Sequence, residues 1–548
     1  MIRPLLLTSC LAMVLGVSSL SAQEKTLLGK TAEGWTRQLR QGNDAKARRS
    51  AAFALGKMGR WSASALPAMK AVYAGEKDAK VREAIVFAMA EICREGAGDD
   101  LGLDQLFIAA LADNDPRLRR SAAFALGCLK TKSADMRKAL DQALSNDREP
   151  MVRQNATWAI GRYGESALPS LARALRDADS LVKRDAASAL LHVTSDVDKV
   201  HELLKDLLPL CQDKNSETRR AGLNVLLVIV VPDDKSAIDP LRSLLDDADI
   251  ENRRNAAMAL SNIGGDEAAA AVPVLLEAAK NGGPEVRRQA VLGIRNFGAA
   301  GAAALPDLMR FLKNDRDPQV RENAAFAIGG IGKLAERAVP LLVEMLQNTK
   351  ENPDVRTKCA MALARIGPVD AARKAVPDLL AILTNSQDDP LMRERIIWAL
   401  QVHKRGLAEM DGTKDAFAKV LKEPATEPNK MLRYNCAYVL GLVWQAQAPE
   451  HALDVLSDFL HDPKVKIFLG EDSGVGGTSN EGQTGKGEVK VRAKGDGRVM
   501  AADALLSIGP TRYAARREIM TQLNKMAAQP NLFEPLRKRV TALLDATK

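Results

Sequence analysis

Residues able to do chemistry are few and scattered. The chain has five histidines, His192, His201, His403, His451 and His461. None stands in an H-E-x-x-H spacing, which would place two imidazoles and a general base on one helical face. Asn480-Glu481-Gly482-Gln483-Thr484-Gly485-Lys486-Gly487 has the outline of a phosphate-cradling loop. That loop needs Gly at 480, Ser or Thr at 487 and a helix next, and all three are missing. Gly495-Asp496-Gly497 is half of a dinucleotide fingerprint, with Met500 at the third glycine position. Asp247-Ala248-Asp249-Ile250-Glu251 starts like a calcium loop, but Asn252 replaces the required Gly and Met258 the bidentate Glu. No Ser/His/Asp arrangement can be assembled. The expectation is a chain that is not an enzyme, with no catalytic residue, cofactor or metal site.

The amino terminus reads as a processing signal over residues 1–22. Arg3 supplies a positive start, Leu5 to Leu20 are apolar, and Ser21-Ala22 precede a cleavage point at Gln23. At about 16 residues the stretch is short of the roughly 20 a span requires, and no later segment is long and apolar enough to span. The expectation is therefore an exported chain, periplasmic or extracellular. Leu7-Thr8-Ser9-Cys10 offers lipid anchoring at Cys10 as a minority reading. The remaining cysteines, Cys93, Cys128, Cys211, Cys359 and Cys436, are odd in number and contain no C-x-x-C, so they read as small buried apolar residues.

What organises these residues is a repeat. Across 548 residues a basic anchor recurs at Arg48, Arg82, Arg119, Arg153, Lys183, Arg219, Arg253, Arg287, Arg321, Arg356, Arg393, Arg433 and Arg498, mostly 34 to 37 residues apart. Four residues before it stands Asp (Asp44, Asp78, Asp115, Asp179, Asp249, Asp317, Asp389), placed to cap a helix. Pro follows in many copies, at the first helical position where a missing N–H does no harm. Small Ala residues come next, and Gly eleven residues after the anchor (Gly59, Gly164, Gly264, Gly298, Gly332, Gly367, Gly509) reads as the helix stop. An amphipathic helix, often opened by Pro as in Leu305-Pro306, precedes each capped turn. With 46% apolar and only 4% aromatic residues, this predicts an all-α chain: a right-handed α-solenoid of about thirteen two-helix repeats.

Asp317-Pro318-Gln319-Val320-Arg321 followed by Ala324 to Gly329 and Gly332, and its copy from Asp115 to Gly127, resemble the HEAT repeat, particularly the short HEAT-like bacterial form. The resemblance spans roughly residues 30 to 520 and implies a scaffold or protein-binding surface. Deoxyhypusine hydroxylase is a HEAT-like metalloenzyme built on several His-Glu pairs; this chain has one, His201-Glu202. Tetratricopeptide and ankyrin signatures are absent.

The solenoid is expected over 23–510, with capping helices over 511–548. A Gly-rich insertion, 461–497, falls inside the last repeat. Its flanks alternate at Val465 to Phe468 and Val489 to Arg492, which suggests a β-hairpin closing a long loop; it reads as a tolerated surface insertion or a recognition loop. The anchors themselves, with Asp six residues before many of them, are expected to bond turn carboxylates and carbonyls. The position after the anchor is basic at Arg49 and Arg120, and in four consecutive repeats at Arg184, Arg220, Arg254 and Arg288. At about 10 Å per repeat these four would form a stripe about 30 Å long, a candidate partner-binding site unless neighbouring carboxylates neutralise it.

The formal charge is +9, and loss of Arg3 with the signal leaves it one lower. The functional expectation is a non-catalytic interaction scaffold in the cell envelope, holding a protein or anionic polymer; nucleic acid suits an exported chain poorly. Two alternatives stay open: a structural envelope element without a specific partner, and a regulatory or accessory chain of an exported enzyme. Oligomeric state is not readable from the sequence.

Overall fold

The computed structural model describes residues 25–96, 101–401, 404–468 and 494–548. The signal segment with Cys10, His403 and most of the Gly-rich insertion lie outside them. The chain is an all-α solenoid built from serial helix pairs. It divides into two compact units at Val225/Leu226, within the helix Ser216–Ile229.

The first unit is built from successive helix pairs, the second helix the longer in each pair but α7/α8. In order they are α1 (Ala32–Gln41), α2 (Ala45–Met58), α3 (Leu66–Gly75), α4 (Ala79–Arg94), α5 (Leu103–Leu111), α6 (Pro116–Cys128), α7 (Ala134–Asn146), α8 (Pro150–Ile160), α9 (Leu168–Ala174) and α10 (Ser180–Val193). The second helices α2, α4, α6, α8 and α10 pack against one another in series. Their small residues permit it: a Cβ on Gly56 of α2 would fall 2.9 Å from the Ala88 Cα of α4. The second unit repeats the scheme with second helices such as Ile250–Ile263, Pro318–Ile331, Pro353–Ile366 and Pro390–Gln401.

Each repeat's start and stop follow from the anchor pattern. Asp44, Asp78, Asp115, Asp179, Asp249, Asp317 and Asp389 all accept hydrogen bonds from backbone amides in the first turn of the helix they precede. Such a cap typically stabilises a helix by about 1 kcal/mol. All seven stop glycines adopt positive φ, from 55° at Gly59 to 95° at Gly509, which a side-chain-bearing residue adopts only under strain.

The last repeat interrupts this order. Between the helices Glu450–Leu460 and Arg498–Ile508, strands β1 (Lys466–Phe468) and β2 (Lys494–Asp496) pair antiparallel. The upstream strand lies where alternation placed it. Its partner is Lys494 to Asp496, whereas the expected segment Val489 to Arg492 lies outside the described residues. Beyond, the helices Arg517–Ala527 and Glu534–Asp545 pack on each other.

The anchors bind successive repeats. Within the first unit Arg48 bonds Glu76, Arg82 bonds Asp113, Arg119 bonds Asp147, Arg153 bonds Asp177, and Lys183 bonds Asp213. Each carboxylate stands six residues before the next anchor. The contact is bidentate for Arg119, whose Nε and Nη2 donate to Asp147 at 2.6 and 2.9 Å. Its Nη1 donates to the Asp113 carbonyl of its own turn at 3.0 Å. Asp147 also accepts the Glu149 amide at 2.9 Å, so one carboxylate shapes its turn and receives the preceding repeat. In the second unit Arg287–Asp315, Arg321–Glu351, Arg356–Asp388 and Arg393–Glu423 continue the arrangement.

These contacts set the acids' titration. The Arg48 guanidinium holds Glu76 below the ordinary carboxylate range. Burial pushes Asp147 up, but Arg119 and the Glu149 amide outweigh it and leave it lowered. A lowered carboxylate contributes stability above its unfolded pKa of about 4 and loses it as pH falls through the folded value. Ellipticity at 222 nm should therefore hold down to about pH 4 and fall below it. Asp147→Ala strands a largely buried guanidinium and should cost about 3 kcal/mol, read as faster amide hydrogen exchange in α6 and α8 than in α1 and α2.

Candidate interaction surface

The four arginines of the sequence-derived stripe fall two in each unit, all half-buried. Arg184 donates to Asp185 and Glu217, both at 2.8 Å. Arg254 pairs with Glu251 one turn away. Arg288 pairs with Asp317 at 2.7 Å and with Glu285 at 3.4 Å; its backbone carbonyl accepts the Asn323 amide of the next repeat at 2.9 Å. Arg220 is half-buried on the helix Ser216–Ile229. Arg184, Arg254 and Arg288 thus meet carboxylates on their own surfaces, which reduces the field they can offer an anion.

A second row, not singled out by sequence reasoning, stands five residues after each anchor. In the first unit it reads Phe53, Phe87, Phe124 and Trp158, on α2, α4, α6 and α8. Phe53 is 57% exposed and Phe87 37%, while Phe124 and Trp158 are half-buried. The Phe87 and Phe124 rings stack with centroids 5.9 Å apart, and Phe124 stacks with Trp158 at 5.2 Å. The Trp158 ring rests on Gly127, where a Cβ would lie 2.3 Å from Cζ3. Lys57 lies 5.5 Å from the Phe53 centroid and Arg162 5.3 Å from that of Trp158. The signal was present in the sequence: the Ala-Ala-Phe-Ala-Leu-Gly run at 51–56 and 122–127 carries one large apolar residue out of phase with its buried alanines.

The same position in the second unit holds Phe326. Arg295 and Arg365 lie 3.9 and 5.0 Å from its centroid. Burial, with Arg365 nearby, lowers the Arg295 guanidinium to about 10.

The remaining chemical candidates resolve into local structure. Asp247 accepts the Asp249 amide at 2.9 Å, and its carbonyl accepts Arg253 at 2.8 Å, so the calcium-like segment is a helix-capping turn. Asp496 chelates Arg498 through both carboxylate oxygens. His192 and His461 each bond the carbonyl four residues before. Among the described residues no group of three or more His, Cys, Asp or Glu is placed to hold a metal ion, and no helix is long and apolar enough to cross a membrane.

Repeated helix pairs, stapled turn to turn and capped alike, define an α-solenoid repeat protein. The chain belongs to the HEAT-repeat family: the family profile matches residues 103–191, 204–295, 238–329, 272–350 and 305–401, together more than half of the sequence. No curated protein matches it by sequence. Among solved structures it is similar to Kap95p in a complex with RanGDP, with 13% identity over 94% of this chain and 71% of that one, at a TM-score of 0.46. Importin beta aligns at 15% identity over 94% and 76%, with a TM-score of 0.44. Kap95 in the Kap95:Nup1 complex aligns at 12% over 94% and 78%, with a TM-score of 0.42.

Cys93, Cys128, Cys211, Cys359 and Cys436 are all buried. Burial raises the Cys128 and Cys211 thiols to about 12 and the Cys359 and Cys436 thiols further. Thiolate is the reactive form. A chain beginning at Gln23 should therefore release almost no thionitrobenzoate from Ellman's reagent when native, and five equivalents when denatured.

Proposed function

We propose that this chain is a non-catalytic interaction scaffold of the cell envelope, exported by its amino-terminal signal, which holds a protein partner along its second helices. The observation that carries this reading is a division of labour between positions. Anchor, cap and stop positions recur because they join one repeat to the next. The position five residues after the anchor varies along the chain, Phe in the first three copies (Phe53, Phe87, Phe124), then Trp158, Ser188, Asn224, Met258, Leu292, Phe326, Met361 and Trp398, outward in all of these and buried at Tyr438 in the copy after them. A surface that varies on a recurring frame has the form of a recognition surface, and exposed Phe and Trp are residue types enriched at interfaces.

Arg184 and Arg220 of the first unit, and separately Arg254 and Arg288 of the second, are the second candidate contacts for an acidic partner. The test is capture from a native envelope fraction by the immobilised chain. Replacing Phe87 and Phe124 by Ser should abolish capture with helicity intact. Replacing the four arginines by Glu should weaken it several-fold. Equal capture by both variants and the parent would refute a second-helix contact surface.

A further inference from the structure

The aromatic row of the first unit has a chemistry that narrows its partner, and the inference rests on the scaffold reading above. The interplanar angles are 22° for Phe87–Phe124 and 26° for Phe124–Trp158, so these rings turn their faces towards one another along the row. What they leave for an occupant is their edges. An aromatic ring is electron-rich on its face and electropositive at its edge. A flat sugar ring or a nucleobase needs an open face to stack on, and Phe124, flanked by both neighbours, offers none. Ring edges side by side form instead an apolar ridge with a positive rim.

The charges alongside point the same way. Arg49, Lys57, Arg60 and Arg162 make no ion pair among the described residues. The carboxylates of the same helices are engaged. Glu83 accepts Ser121 at 3.0 Å and lies 3.9 Å from Arg120; Glu91 pairs with Arg94 at 2.8 Å; on the neighbouring α10, Asp185 accepts Gln154 and Arg184, both at 2.8 Å. Glu83 and Glu91 are the carboxylates of α2, α4, α6 and α8, and both are matched; Glu95, just beyond α4, accepts the Arg60 backbone amide at 2.8 Å. Trp61, 51% exposed, has the Arg60 guanidinium 5.2 Å from its centroid. Met151, exposed at the start of α8, is contacted by Arg120 through its sulfur. Unpaired cations therefore flank the aromatic row at its two ends, Arg49, Lys57 and Arg60 beside Phe53 and Trp61, and Arg162 beside Trp158.

We infer that this ridge is the docking surface for an extended protein segment in which Asp or Glu alternate with large apolar side chains. The apolar residues cover the ring edges of Phe87, Phe124 and Trp158 and the exposed ring of Phe53. The carboxylates meet Arg49, Lys57, Arg60 and Arg162. Complementary charge of this kind sets register and speeds encounter, while the aromatic anchors supply most of the affinity.

The test is a selection of random twelve-residue peptides displayed on phage against the immobilised full chain, followed by fluorescence anisotropy with the enriched peptides. Enriched sequences should carry Asp or Glu interspersed with Leu, Phe or Trp. Phe124→Ser with Trp158→Ser should weaken their binding at least tenfold. Lys57→Glu with Arg162→Glu, which leaves every buried residue in place, should weaken it several-fold and flatten its salt dependence. Enrichment of basic peptides, no enrichment, or binding unchanged in both variants overturns the inference. So does heparin binding lost on Phe124→Ser, which would assign the ridge to an anionic polysaccharide. So does a dimer in light scattering abolished by the same change, which would assign it to a second copy. Envelope capture that survives both variants would refute this inference while leaving the scaffold reading intact. Acidic peptides binding at the row without any envelope capture would instead refute the scaffold reading.

Discussion

Within each unit the fold depends on a guanidinium that answers two repeats at once. Arg119 donates to a carbonyl of its own turn and to the carboxylate of the next one. That carboxylate, Asp147, in turn holds the backbone of the turn in which it stands. A two-helix unit of some 35 residues cannot bury its apolar side alone and is stable only against its neighbours. The apolar contact between α6 and α8 is non-directional and would tolerate sliding. The charged staple does not: with a bidentate geometry it fixes how far and at what angle one hairpin lies on the next. Packing supplies the bulk of the stability, and the staple supplies the register.

Much of this was legible in the sequence because it is local. An Asp four residues before an Arg and a Gly eleven after it report on caps and stops within one turn of chain, and all seven residues of each set behave as their positions require. The staple was half legible. Asp at minus six was visible, but the Arg that bonds its carboxylate belongs to the preceding repeat some thirty residues away, and only the stacking of hairpins brings the two together. The basic stripe shows the opposite failure. Arg184, Arg254 and Arg288 were readable as a periodic charge; Glu217, Glu251 and Glu285 recur at the same 34-residue period three residues before Arg220, Arg254 and Arg288, whereas Asp185 and Asp317 follow no common offset and escape a search for periodicity.

The aromatic row escaped notice for another reason. Phe53, Phe87 and Phe124 sit among buried alanines, and a Phe in such a run passes for core. Exposure follows from helix phase combined with the closeness of the neighbouring helix. Gly56 against Ala88 and Gly127 beneath Trp158 bring backbones so near that large side chains at this position have room only outward. The same small residues that let repeats nest therefore push the aromatic groups to the surface, and packing and recognition share one cause.

The staple also has a direction: every basic anchor that forms it reaches forward, from one copy to its successor. If a whole copy were duplicated or lost in descent, the flanking copies would meet across an equivalent junction and form the same bond there, with no orphaned charge. A break inside a copy would separate a cap from its stop and leave a cation facing nothing. The molecule is thus free to change in length by entire units while resisting every other increment, and a lineage of such chains would be expected to differ in the number of copies before it differed in the seam between them.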